Sequence, residues 1–108
     1  MPDATREAIG PVVTVESVVL DWEDTRARVV FGHRAYLRGH RMFAYLIEGG
    51  VAVGGLPVAD RAELVAQGVR PVVRGGEEIR GWHVLPVASD DDVDGALDFL
   101  RRAWEAVG

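Results

Sequence analysis

Residues 28–54 read RVVFGHRAYLRGHRMFAYLIEGGVAVG, and this stretch decides the fold. Between positions 28 and 38 the odd residues Val29, Phe31, Ala35 and Leu37 are apolar, while the even residues Arg28, Arg34, Tyr36 and Arg38 include three arginines. Successive side chains of a strand point to opposite faces, so the odd set is expected to face a core and the arginines to face out. Gly32 interrupts the run, as a glycine at a bulge does. Arg38-Gly39-His40 reads as a turn, residues 42–47 (MFAYLI) as a strongly apolar strand, and Glu48-Gly49-Gly50 as a second turn. VAV at 51–53 is then a third strand, ended by Gly54-Gly55. The stretch is an antiparallel β-meander.

Working outward, the period changes. Upstream, TVESVVLDWED (14–24) puts Val15, Val18, Val19 and Trp22 on one face of a helix, with Thr14 as its N-cap. Downstream, VADRAELVAQ (58–67) reads as a short helix; Asp60 and Glu63 have the spacing of a capping box, and Gly68 is a stop. PVVR (71–74), the turn Gly75-Gly76-Glu77-Glu78 and GWHVLPV (81–87) read as two more strands, with Pro86 pointing to an edge position near the end. Ser89 caps the last helix with Asp92 three residues on, and its apolar stripe is Val93, Leu97, Leu100, Trp104 and Val107. The expected fold class is α+β, with two layers, helices packed on an antiparallel sheet, in the order α-β-β-β-α-β-β-α. Residues 1–13 contain Pro2, Gly10 and Pro11 without a period and are expected to form a flexible N-terminal arm. Residues 14–108 are expected to form a single domain.

A chain of 108 residues is the size of one domain, large enough to bury about 65% of its unfolded surface without staples. Cysteine is absent, which excludes disulfides, thiolate metal sites and a cysteine nucleophile. No apolar run approaches the ~20 residues of a membrane-spanning helix, and the N-terminal residues lack the order of a signal peptide; the expected location is the cytoplasm. All twelve basic residues are arginine, which excludes a Schiff-base or phosphate-loop lysine. The net charge of −5 argues against simple nucleic-acid binding. Charge is segregated: Arg26, Arg28, Arg34, Arg38 and Arg41 fall in the acid-free residues 25–47, and acidic blocks lie on either side.

Constellations with chemistry are few. His33, His40 and His83 match no metal-ligand spacing. Ser17 and Ser89 are explained by helix geometry, and no nucleophile elbow is present. The carboxylates between Asp90 and Asp94 read as a solvated helix start, and the glycine pairs match no phosphate-binding loop. No catalytic residue, metal or cofactor is expected. The one constellation left is the arginine face: Arg28, Arg34, Tyr36 and Arg38, with Arg41 after the turn. Such a surface suits an acidic partner, a phosphate or a nucleic-acid backbone.

The segment VFGHRAYLRGHRMFAYLIEGGVAVGGLPVADR (30–61) resembles the N-terminal domain of the TfoX competence regulators and their stand-alone relatives, whose pattern runs close to MFG, a short strand, G, FA, a strand and LP. The downstream helix, Pro-containing strand and final helix fit as well, so the resemblance covers residues 15–107. It implies the same two-layer domain and no catalytic residues. In full-length competence regulators such a domain precedes a helical C-terminal domain and acts in transcriptional control; this sequence is expected to represent the first domain alone. Two positions depart from the pattern: His33 replaces the family's second glycine after MFG, and Gly54-Gly55 stands where a lysine often follows the third strand. The expected function is a non-enzymatic regulatory or protein-interaction domain with a protein partner, and with homodimer formation because an open sheet has edges that need cover. The alternatives are nucleic-acid or anion binding through the arginine face, and small-molecule sensing in a pocket between the sheet and the last helix near Trp82 and Trp104.

Overall fold

The first strand of the sequence reading is in fact a hairpin. The computed structural model describes residues 10–108. In it α1 (Pro11–Leu20) leads into β1 (Thr25–Val30) and β2 (His33–Arg38), which pair antiparallel with Val30 opposite His33, so Phe31-Gly32 is a two-residue turn. β3 (Arg41–Ile47) and β4 (Gly50–Val53) complete the meander. α2 (Val58–Ala66) crosses to the hairpin of β5 (Pro71–Arg74) and β6 (Glu77–Pro86), and a short 3₁₀ turn at Asp90–Asp92 opens into α3 (Val93–Ala106). The six strands lie in the order β1-β2-β3-β4-β6-β5, with antiparallel neighbours throughout. The fold is α+β, three helices on a six-stranded antiparallel sheet, in the expected order of helical and strand segments with one strand more in the meander.

The Phe31-Gly32 turn explains why one alternation cannot run from 28 to 38. A reversal of the chain resets which parity faces the helices. Tyr36 lies opposite Ala27 and joins Ala44, Val51, Val53 and Leu85 on the helix side. There they meet Val15 and Val19 of α1, Leu64 of α2, and Phe99, Leu100 and Trp104 of α3. Each Val, Leu or Phe among them contributes roughly 1.5–3 kcal/mol when fully buried. Ala35 and Leu37 are buried as expected, but on the opposite face, with Tyr45, Ala52 and Val72. Val29 and Phe31, both expected in the core, are 67% and 90% exposed. A bulge admits Phe43 as an extra residue between the pairs Tyr36–Ala44 and Leu37–Met42, so Phe43 and Ala44 both reach the helix-side core.

Among the described residues no helix packs over the second apolar cluster. It is covered by curvature: Arg74, at the end of β5, lines the same small hollow as Val30, Phe31 and His33. The last hairpin therefore bends back towards the first, and Val72 is buried where it does so. Trp82 closes the bend, with its indole lying on Gly54 and against Tyr45. A Cβ at Gly54 would stand 2.3 Å from that ring.

Several local expectations are corrected. Residues 11–13 belong to α1 and not to an arm; residues 1–9 of the expected arm lie outside the described residues. Thr14 is inside α1, its hydroxyl donating to the Gly10 carbonyl, while Gly10 is the N-cap and Pro11 the first helical residue. Within the predicted face of α1, Val15 and Val19 are buried and Val18 is exposed. Trp22 lies past the helix end and packs on Phe43 and Trp104. Asp60 and Glu63 do not cap α2; both accept hydrogen bonds from Arg102 of α3, which also holds Asp98. Asp98 first, and then Glu63, push the Arg102 pKa upward. β6 is interior, and Pro86 sits beyond its pairing with β5, where no donor is needed on that side. Ser89 and Asp92 do cap the last helix, the Asp92 carboxylate accepting the Ala88 and Ser89 N–H groups. Gly68 ends α2 in a left-handed conformation.

Candidate interaction surface at the first hairpin

The sheet divides the five residues expected to form a binding face. Arg34, Tyr36 and Arg38 share the helix side. Arg34 is paired with Glu16 of α1, which pushes its pKa upward. Tyr36 is buried beneath them, and among the described residues its hydroxyl has no hydrogen-bond partner. Burial first, and then the Glu16 charge, push its pKa up to about 12. Arg38 donates from Nη1 to the Trp104 carbonyl at 2.8 Å, and its guanidinium carbon stands 3.7 Å from the Trp104 ring centroid. The indole N–H of Trp104 in turn donates to the Thr25 hydroxyl at 2.8 Å. These contacts tie β1 and β2 to the last turn of α3, leaving Arg38 as a cap and a stacking partner. Arg28 lies on the other face, opposite Ala35, and Arg41 is exposed at the next turn. The five therefore form no continuous face.

What the hairpin does expose is its edge and tip. Among the described residues β1 pairs only with β2 in the sheet, and no strand of theirs lies against its outer row of backbone donors and acceptors. Arg26 and Arg28 project from this strand; among the described residues neither forms an ion pair. Val29 is exposed beside them, and Phe31 stands at the tip.

Phe31 has φ 50° and Gly32 φ 80°, both positive. Two positive φ values in a two-residue hairpin turn define the type I′ geometry, whose twist matches that of the strands. The turn between β5 and β6 meets the same demand with two glycines, Gly75 at φ 59° and Gly76 at φ 82°. A bulky side chain in this region costs about 1–2 kcal/mol. The first hairpin thus carries an aromatic ring in a strained position where burial returns almost nothing.

Other groups are engaged elsewhere. His33 lies within hydrogen-bond reach of the Leu46 carbonyl, 3.1 Å from Nδ1, and tilts against Tyr45. His83 is buried, and its Nδ1 has no partner among the described residues; desolvation, then the nearby Arg61 charge, lower its pKa. Among the described residues no three His, Asp or Glu side chains converge as a metal site requires. No helix there is long and apolar enough to cross a membrane. Trp82 and Trp104 share no pocket: Trp82 belongs to the helix-free face, Trp104 to the helix-side core.

Sequence reasoning missed this surface because it assigned Val29 and Phe31 to the core and left Arg26 out of the site. The available signal was the two-residue spacing around Phe31-Gly32, obscured because Phe is not a residue that turn normally carries. Comparison with protein-family models, with curated proteins and with solved structures finds no match.

Proposed function

We propose that this chain is a non-enzymatic protein-interaction module, of the kind its TfoX-like pattern implies, which takes an acidic extended segment of a partner protein onto the edge of β1. The observation that carries the reading is Phe31, strained at φ 50° and 90% exposed. Strain that the isolated fold does not use points to a role outside the fold. Strand addition supplies main-chain hydrogen bonds, and side chains next to the edge set the preference. Arg26 and Arg28 favour carboxylates, and Phe31 and Val29 offer apolar anchors. Charge also decides against self-pairing. An antiparallel pair of β1 strands centred on Ala27 sets Arg26 of one copy against Arg28 of the other, and like charges directly opposite are destabilising. A phosphate backbone is disfavoured because Arg34 and Arg38 are already engaged.

The test is titration with a peptide of alternating Glu and Val, followed by backbone amide shifts and hydrogen exchange. Saturable shifts and added protection confined to β1 and the Phe31 turn are expected, weakened at least tenfold by Arg28→Glu. An alternating Arg and Val peptide is expected not to bind. Equal binding of both peptides, or shifts elsewhere, would refute the proposal. Dimerisation through β1, seen by light scattering and strengthened by Arg28→Glu, would replace it with self-association.

A further inference from the structure

A cavity of about 240 Å³ lies between the C-terminal end of α2 and the start of α3, with no residue in common with the hairpin surface. Val69 and Pro86 supply its accessible apolar wall over the buried Leu64, Leu85 and Phe99, and Gln67 and Asp91 stand at its rim. Gly95 lines it from the first turn of α3. This glycine has no positive φ, and a Cβ placed on it would meet nothing within 4 Å. A helix-interior glycine costs about 1 kcal/mol relative to alanine, and neither backbone conformation nor a close neighbour demands one here. Its bare backbone forms part of the cavity wall.

The lining carries no basic residue. The Asp92 carboxylate is occupied by the Ala88 and Ser89 N–H groups. Asp91 has no hydrogen-bond or ion-pair partner among the described residues, so its charge is available at the mouth. An apolar cavity of about 150 Å³ suffices for a benzene ring, and pockets for drug-sized ligands begin near 300 Å³. The space therefore fits one ring or a short chain with a single polar head.

We propose that this cavity is a binding site for a small amine, its apolar body against Val69 and Pro86 and its ammonium group at Asp91. The whole chain is titrated with 2-phenylethylammonium, neutral 2-phenylethanol and phenylacetate, and amide shifts are followed. Saturable shifts at Val69, Gly95 and Ala96 are expected, with the amine bound at least tenfold more tightly than the acid. Asp91→Asn is expected to remove that preference while leaving the alcohol unchanged. Gly95→Leu is expected to abolish binding of all three without lowering the melting temperature; should it not fold, Gly95→Ala is expected to weaken binding severalfold in a protein at least as stable. Phenylacetate binding as tightly as the amine would overturn the charge assignment. Absence of saturable shifts at these residues, or full binding by a folded Gly95 variant, would overturn the site.

Discussion

Replacing Phe31 with asparagine separates what the turn needs from what the side chain does. The ring is 90% exposed, so about a tenth of its surface is buried. With roughly 200 Å² for a phenylalanine, that is about 20 Å², worth about 0.5 kcal/mol at 25 cal/mol per Å². Against this stands the cost of a bulky residue at φ 50°, about 1–2 kcal/mol, most of which asparagine avoids because it enters type I′ turns readily. Phe31→Asn is therefore expected to stabilise the domain by about 0.5–1 kcal/mol, raising the melting temperature by about 2–8 °C at this size. Phe31→Ala keeps the backbone strain and loses the ring, and is expected to be neutral to about 0.5 kcal/mol destabilising. Urea denaturation with unchanged m-values, together with thermal melts, measures both. The same Asn variant is expected to lose acidic-peptide binding while gaining stability. A loss of more than about 1 kcal/mol in Phe31→Asn would mean that the ring is packed in the folded state, and the reading of an exposed, strained tip would fall.

Further outcomes follow from groups inside the fold. Gly54→Ala places a Cβ 2.3 Å from the Trp82 ring and is expected to cost about 1–3 kcal/mol through overpacking, with a shifted tryptophan emission; an unchanged denaturation midpoint would count against that packing. Arg102→Ala leaves Asp60, Glu63 and Asp98 facing one another without their shared cation and is expected to cost about 1 kcal/mol at low salt and less at high salt. A salt-independent effect would disprove its electrostatic origin. For His83, burial lowers the folded pKa below that of the unfolded chain, so the unfolded state binds the extra proton and stability falls as pH drops below about 6.5. His83→Gln is expected to flatten that part of the stability profile, and an identical profile would assign the dependence to other groups.

The sequence exposed those parts of the fold whose physics is local. α3 is buried on one side, so its period survives in the residues, and β3, buried on both faces, shows as one continuous apolar run. Ser89 and Asp92 cap within four positions of each other. Gly75-Gly76 announces its turn because glycine is the residue that turn prefers. Phe31-Gly32 makes the same turn with a residue that reads as core, so two strands looked like one and the arginines fell onto a false common face. Asp60 and Glu63 were misread because their partner Arg102 lies 42 and 39 residues away, beyond any local pattern. Arg34 and Arg38 were placed correctly with Tyr36 on one side. What spacing could not show is that α1 and α3 would cover that side.

The clamp between Arg38 and Trp104 has a kinetic meaning. Its hydrogen bond joins residues 66 apart, and the Trp104–Thr25 bond joins residues 79 apart. During synthesis the meander emerges first, with Phe43, Val51 and Val53 bare on one side, and must wait for the final helix to cover them. Contacts so distant in the chain slow folding and lengthen the exposure of apolar strands. The last turn of α3 is therefore what closes the cover over the meander, and shortening the chain before Trp104 is expected to release an aggregating species in place of a smaller stable fold.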